Sequence, residues 1–225
     1  MSRACRALAA ALLMILPLAG AAQNGEIAHR GGVGGGMGVV WMNRPELVDL
    51  VNATPGAIEG LRAFKTGAEF FGFVTVPLSR EWGVKAEYAY QLSSYNIEAT
   101  GGTAEYALTM HVSSLLLQRV LVLEEAYTLA VGIGGGVRSG SLATRSLYAE
   151  KTYAARGPGV VAELEANTIL GTDLFVHIGG QLRWESTGDL EDASGAAPVS
   201  ATGLTSASLG GYGAAFRLGL IWYLF

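Results

Sequence analysis

Cysteine is nearly absent from this chain: the single copy among 225 residues is Cys5. It lies ahead of an apolar leader, so the processed chain carries no thiol, which excludes disulfides, cysteine catalysis and thiolate metal sites. Histidine is scarce as well, with 3 copies. No two of the potential nitrogen or carboxylate ligands stand at a recognised metal-binding spacing, so no metal and no cofactor is expected. Charged residues make up only 15% of the chain, and acids outnumber bases 19 to 15. That balance argues against a nucleic-acid partner. Beyond the leader, no stretch reaches the ~18 uninterrupted apolar residues of a membrane helix.

The leader itself is informative. Arg3 and Arg6 precede an apolar run over residues 7–18, and Ala19, Gly20, Ala21 and Ala22 follow it. This is the three-part layout of a cleavable export signal. The run is about half of the ~20 residues a spanning helix needs, and Pro17 interrupts it. Residues 1–22 are therefore expected to be a signal peptide and 23–225 a single barrel domain. Losing Arg3 and Arg6 and no acid shifts the formal net charge from -4 to about -6. The mean hydropathy of +0.34 is high for a soluble domain. High hydropathy without membrane helices leaves closed barrels, because lipid demands that every backbone polar group be paired internally.

Alternation supports that reading. Val84, Ala86, Tyr88, Tyr90 and Leu92 share one face of a strand, with Lys85, Glu87, Gln91 and Ser93 on the other. The two-residue period returns with Tyr106, Leu108, Met110, Val112 and Leu116 opposite Glu105, Ala107, Thr109, His111 and Ser113. It returns again with Val160, Ala162, Leu164 and Ala166 against Glu163, Glu165 and Asn167, and with Val176, Ile178, Leu182 and Trp184 against His177, Gln181, Arg183 and Glu185. In each case the apolar face is expected to meet lipid and the polar face a lumen. Weaker strands over 34–42, 68–76, 127–138 and 212–225 bring the count to eight.

The connections between strands are expected to alternate. Long ones cover 44–64, 139–157 and 186–207, with a modest one at 96–102. Short ones fall at 77–82, 119–124 and 171–173. Such asymmetry fits short periplasmic turns and long external loops. Trp82, Tyr127 and Trp222 fall near one end of the strands, and Trp41, Tyr90 and Trp184 near the other, as interfacial girdles require. In the first long loop, Asn43 and Pro45 begin a short helix with Leu47, Leu50 and Val51 on one side, ended by Pro55 and Gly56. That helix is read as a lid on the barrel mouth, as a sticky site for a partner, or as a segment resting on the lipid interface or the rim. The glycine clusters at 31–38 and 132–136 complete no phosphate-binding motif; they are expected to make room for Phe71, Phe73 or Phe175 across a tight lumen.

These features together resemble the small outer-membrane β-barrel proteins, the eight-stranded class that includes the OmpA transmembrane domain, OmpX and OmpW. The resemblance covers the whole mature chain and implies an all-β, eight-stranded antiparallel up-and-down transmembrane barrel in the bacterial outer membrane. It also implies an assembly signal in the last strand, carried by Ile221, Tyr223 and Phe225, that engages the outer-membrane assembly machinery. That family phase would turn Arg217 to lipid, at a cost of roughly 2–4 kcal/mol. The opposite phase is therefore preferred, with Phe216, Leu218, Leu220, Trp222 and Leu224 outside, Arg217 inside, and a bulge allowed near the end.

The expected lumen network comprises Glu69, Lys85, Glu87, Glu105, His111, Arg138, Glu163, Glu165, His177, Arg183, Glu185 and Arg217, with acids in excess. An eight-stranded barrel is just wide enough to be filled by its own side chains, so these groups are expected to pair into a plug. No residue is assigned a catalytic role. Two other functions remain open: a narrow porin-like or hydrophobic-ligand conduit of the OmpW kind, and a lipid hydrolase built on Ser113, His111 and Glu105. A metal site joining His111 and His177 to Glu163 or Glu165 is weighed and set aside. Expected partners are outer-membrane lipids and lipopolysaccharide, the latter through Arg145, Tyr148, Lys151, Tyr153 and Arg156, around a monomeric barrel. Export processing predicts a mature chain beginning at Ala22 or Gln23, which intact-mass measurement of the membrane-extracted protein reads directly.

Overall fold

The computed structural model describes residues 30–53, 58, 60, 66–99, 102–145, 150–200, 203–204 and 206–224. The signal segment, Pro55, Gly56, Tyr148 and Phe225 lie outside these residues. Eight strands close into a barrel: β1 (Gly32–Asn43), β2 (Thr66–Pro77), β3 (Trp82–Ala99), β4 (Gly102–Leu123), β5 (Tyr127–Arg145), β6 (Glu150–Ile169), β7 (Leu174–Glu185) and β10 (Gly211–Tyr223). Helix α1 (Pro45–Asn52) follows β1, and a small ribbon of β8 (Val199–Ser200) and β9 (Gly203–Leu204) lies between β7 and β10. Every barrel strand pairs antiparallel with its neighbours, and β1 pairs with β10 from Gly32↔Tyr223 to Asn43↔Tyr212. Closure leaves no unpaired sheet edge to lipid, which is the condition a membrane imposes on β structure.

The outer wall explains the high hydropathy. Met37, Phe70, Leu115, Ile133, Leu164, Leu182, Phe216 and Leu218 all point outward and are exposed. Trp82, Tyr127 and Trp222 ring the end that carries turns 78–81, 124–126 and 170–173; Trp41, Trp184 and Tyr212 ring the other. On β10 the ten residue steps from Tyr212 to Trp222, at ~3.4 Å each and tilted by ~40°, span roughly 26 Å, the height of an outer-membrane apolar band. A continuous apolar belt between two aromatic rings is the surface that suits hydrocarbon. Arg217 points inward and is fully buried, the pairing of β10 is regular throughout, and no bulge is present there.

Strand lengths divide the barrel in two. Strands β1, β2, β7 and β10 have 12 or 13 residues, whereas β3 to β6 have 18 to 22. The four long strands rise above the lipid band as a wall. The expected long loop at 139–157 is mostly strand: β5 continues to Arg145 and β6 begins at Glu150. The stretch at 96–102 is likewise absorbed, since β3 runs to Ala99 and β4 begins at Gly102, and β4 continues through 119–123. Alternating sequence extends through these segments, so backbone pairing does too.

This wall reverses one expectation. On β4 it is Ala104, Tyr106, Leu108, Met110, Val112 and Leu116 that face inward and are buried, while Glu105, Thr109, His111 and Ser113 face outward. From Ala104 to Met110 the strand stands above the lipid band with water outside, so the polar face turns out and the apolar face turns in, the opposite of the membrane segment. Leu116 instead pairs with Lys85 and turns inward between the outward Leu115 and Leu117. The inner apolar face needs cover, and two connections supply it. Leu47, Leu50 and Val51 of α1 enter the mouth, as do Leu190, Ala207 and Leu209 of segment 186–210, and they pack with Leu108, Leu142 and Tyr153. Segment 186–210 is tied down by the bridges Ala154↔Glu191 and Asp189↔Ser208. At its far tip Asp192 accepts from Ser194 and from the Ala196 amide, contacts that hold its carboxyl below the usual range.

Helix α1 thus lies in the mouth as a lid and not along the rim. Arg44, not Asn43, occupies its N-cap position without making a side-chain cap, Pro45 opens the first turn, and Ser208 donates its amide to Glu46. Leu218→Arg, in the middle of the outer belt, is expected to cost about 2–4 kcal/mol of barrel stability. Leu108→Ala, in the external core, is expected to cost about 2–5 kcal/mol. Urea unfolding in lipid vesicles measures the first, and protease sensitivity of the external segments separates the second, which loosens the wall while the membrane part stays folded.

The lumen network as candidate functional site

Inside the membrane part, inward positions of six strands bring together ten of the expected residues. Glu69 comes from β2, Lys85 and Glu87 from β3, Arg138 from β5, Glu163 and Glu165 from β6, His177, Arg183 and Glu185 from β7 and Arg217 from β10; all ten are buried. Arg217 is the hub. Its Nε donates to Glu69 at 2.6 Å and its Nη1 to Glu87 at 2.5 Å, with Glu163 at 4.0 Å. Arg183 grips the same Glu69 through both terminal nitrogens, a bidentate pair, and Gln91 donates to Glu69 at 3.0 Å. Gln181 orients the centre by donating to Glu87 and Glu163 while accepting from Arg183.

Toward the short-turn end, the Lys85 ammonium lies 2.8 Å from Glu163, 2.7 Å from Glu165 and 3.7 Å from Glu87. Asn167 accepts from His177 Nδ1 at 2.8 Å and donates to Thr128 and the Tyr223 hydroxyl. Toward the external end, Arg44 donates to Glu185 at 2.9 Å and to the Leu209 carbonyl, while Arg138 lies 3.6 Å from Glu185 and donates to the Ser113 carbonyl. Aromatic rings carry the cations from beneath: Lys85 Nζ is 4.3 Å from the Phe73 centroid and the Arg217 guanidinium 4.6 Å from Phe71. Such contacts stabilise a desolvated cation without adding charge.

Two glycines make the packing possible. The ring edge of Phe73 fills the place where a Gly34 side chain would project, and the Arg138 guanidinium lies where a Gly159 Cβ would, 2.6 Å from Nε. The cluster on β5 serves differently from expectation. A Cβ on Gly134 or Gly136 would meet the β4 backbone, and Gly132 abuts Gln118 and Leu116, so no phenylalanine is housed there.

Glu105 and His111 are not in the lumen. Both stand on the outer wall of β4, for the reason given above: that stretch rises out of the lipid. His111 Nδ1 is 2.7 Å from the Tyr88 hydroxyl and its ring packs on Tyr90, while Glu105 is engaged by Ser94 and Arg145. With Glu105 outside and Arg44 added from the loop, the buried acids Glu69, Glu87, Glu163, Glu165 and Glu185 are matched by the buried bases Arg44, Lys85, Arg138, Arg183 and Arg217. Among the described residues the expected acidic excess is therefore absent. Arg44 was missed because it stands in a loop by sequence, outside any alternating run, and only the bend into α1 sends its side chain down into the barrel.

Neither chemical alternative is assembled by these residues. His111 bonds a tyrosine and Glu105 bonds Ser94 and Arg145, so Ser113 has no base–acid relay. His111 and His177 lie on opposite sides of the wall and cannot share a metal. Glu163, Glu165 and His177 do bring ligand atoms within 4.8 Å of one another, yet the Lys85 ammonium already contacts both carboxylates and supplies the positive charge a metal would bring. The expected basic cluster in the third external hairpin is also divided: Tyr153 is buried inside, Arg145 pairs with Glu150, and Lys151 and Arg156 are exposed. Ile221 and Tyr223 point into the barrel, where Tyr223 packs edge-on against Phe175.

No family model matches the chain, and no curated protein matches it in sequence. Among solved structures it is similar to Ail, the attachment invasion locus protein of Yersinia pestis, in complex with the heparin analogue sucrose octasulfate (TM-score 0.49, 12% identity, 87% of this chain and 99% of that one). It is similar also to the outer membrane protein OprG from Pseudomonas aeruginosa (0.49, 12%, 87% and 96%) and to the outer membrane protease OmpT from Escherichia coli (0.44, 9%, 90% and 99%). All three likenesses are distant, and none brings a binding or catalytic property to this chain.

Because Arg217 serves Glu69 and Glu87 together, Arg217→Met is expected to cost about 3–5 kcal/mol by leaving the buried acids one charge in excess of the buried bases in a dry interior. Adding Glu87→Gln in the same chain, which restores the balance of buried charge while Arg183 keeps Glu69 and Lys85 keeps Glu163 and Glu165, is expected to recover most of that loss. Urea titration of the folded, heat-modifiable band reads both.

Proposed function

We propose that this chain is an outer-membrane barrel with a structural and interactive role: a sealed, monomeric cylinder that anchors in lipid and presents a rigid external wall to the surroundings. The observation that carries this reading is the occupied interior. The ten buried charges are balanced and mutually engaged, and the mouth above them is filled by side chains of α1 and segment 186–210. A solute path needs mobile, solvated groups along its length, whereas buried charges paired this closely are held in place by the cost of separating them. The export leader, the belt of outward apolar side chains between two aromatic rings and the short-turn end together support an outer-membrane address.

Partners follow from the same surfaces. The belt meets membrane lipid, the exposed Lys151 and Arg156 on the outer wall offer positive charge to lipopolysaccharide, and the last strand engages the assembly machinery during insertion. The outward set Phe216, Leu218, Leu220, Trp222 and Leu224 is the part of that strand such machinery would meet first. No catalytic step is assigned.

One observation favours a second reading, a conduit for an apolar ligand. The upper chamber is lined by Leu108, Met110, Leu142 and Tyr153, and its contents come from two connections, not from the barrel wall. A lid that withdrew Leu47, Leu50 and Val51 would leave an apolar cup, though the ionic layer beneath would still close the path. Single-channel recording of the purified protein in planar bilayers separates the readings. The sealed barrel is expected to be electrically silent across a range of salt concentrations, and reproducible conductance steps would overturn it.

A further inference from the structure

Glu185, the last residue of β7, stands between two arginines. Its Oε2 accepts from Arg44 Nη2 at 2.9 Å, and its Oε1 lies 3.6 Å from Arg138 Nε, just beyond hydrogen-bonding reach. All three side chains are buried. Among the described residues, Glu185 Oε1, Arg138 Nε and Arg138 Nη2 have no hydrogen-bond partner. A buried acceptor and a buried donor edge left unused so close together call for a reason. Arg138 reaches this place across β6. Its own neighbour there is Gly157, and Gly159, two residues on, pairs with Glu185. A Cβ on Gly159 would come within 2.6 Å of Arg138 Nε, so the bare backbone at that position lets a β5 side chain approach a β7 carboxylate.

The two arginines differ in what carries them. Arg138 belongs to the wall, where its Nη1 donates to the Ser113 carbonyl at 2.9 Å. Arg44 belongs to the lid, as the N-cap residue of α1, and its Nε donates to the Leu209 carbonyl. Segment 186–210 is stitched to β6 by backbone bonds from Ser186 to Pro158, from Gly188 to Arg156 and in both directions between Ala154 and Glu191. Helix α1 is held through side chains: Arg44, Glu46, and the apolar side of Leu47, Leu50 and Val51. It lies between two fixed points, Asn43 in β1 and Ile58, whose amide donates to the Glu98 carbonyl of β3. When α1 rises, Arg44 leaves with it. A carboxylate left alone in that interior would oppose the motion.

We propose that Glu185 exchanges partners as the lid moves: with α1 down it bonds Arg44, and with α1 raised it bonds Arg138. The second bond needs a closure of about 0.7 Å, from the present 3.6 Å to the 2.9 Å that Arg44 now has. The carboxylate is then compensated in both positions, so α1 opens the mouth while the ionic layer beneath stays shut. The exchange deepens the second reading above and rests on α1 being a lid that withdraws.

Hydrogen–deuterium exchange of the full mature protein in lipid nanodiscs, read on peptides covering α1, β5 and β7, tests this. Exchange of the α1 amides follows the population in which the helix is raised. Arg138→Gln is expected to slow it about tenfold, because the raised state loses the partner that awaits Glu185. Gly159→Ala removes no charge and displaces the Arg138 guanidinium; it is expected to act in the same direction, and it carries the test where Arg138→Gln does not fold. Arg44→Gln is expected to speed α1 exchange about tenfold and to leave the protection of β7 as it was, since Arg138 takes the carboxylate. In a Glu185→Gln chain, Gly159→Ala should make no further difference. An arginine that only props up the wall gives another pattern. Exchange of α1 that is unchanged or faster in Arg138→Gln and Gly159→Ala would overturn the proposal, as would loss of β7 protection in Arg44→Gln. Heat-modifiable migration of each variant shows that it is folded. Electrical silence in bilayers removes the conduit and leaves this exchange intact, whereas an α1 that ignores Arg138 removes the exchange and leaves the conduit to its own measurement.

Discussion

A polypeptide in hydrocarbon cannot leave backbone amides and carbonyls unpaired, and the register that joins β1 to β10 meets that constraint for the whole chain. Closure decides the rest. Once the sheet returns on itself, alternate side chains must point into a cylinder of fixed, narrow bore and the others out to lipid. Eight strands give an interior with room for side chains and little else. Every charge that faces inward has to find its counter-charge among the few groups within reach, which is how Arg217 comes to hold carboxylates from β2 and β3 at once.

The interior is layered along the axis. Aromatic residues near the short-turn end, among them Phe73, Phe175 and Tyr223, form a floor on which cations rest. Paired charges occupy the middle. Above them, apolar side chains from two connections complete a core that belongs to the external wall. Replacing the ionic middle with apolar groups of equal volume would not necessarily weaken such a barrel, because separating charges from water costs about as much as pairing them returns. What the paired charges do provide is register. Each acid has partners on specific strands, and a strand displaced by one residue would turn its charges to lipid.

Much of this was legible in the sequence and some was not, for one reason. Period-two alternation located all eight barrel strands, four of them (β1, β2, β7 and β10) within about two residues of their observed bounds and β3 to β6 seven to ten residues too short at one end, and the outward phase of β10 followed from the cost of placing Arg217 in lipid. Alternation alone does not say which face is which. On β3 and β7 the apolar face meets lipid; on β4 around Leu108 the same pattern is read in the other sense, because that stretch stands in water and wraps a core. The misplacement of Glu105 and His111 came from carrying one solvent along the entire strand. Strand length would have exposed the error, since 22 residues exceed what any tilt fits into the apolar band. Arg44 escaped because no periodic signal reaches a loop.

The long hairpins have a consequence for how the exposed part of this molecule changes over generations. Where external connections are irregular, substitutions and insertions accumulate freely along them. Here the segments on either side of residues 146–149 are hydrogen-bonded strands with an apolar inner face. Substitution tolerated on the outer face would therefore fall on every second residue, at positions such as Glu105, Thr109, Ser141 and Arg156, while their neighbours stay apolar. Such a surface alters its chemistry without altering its shape.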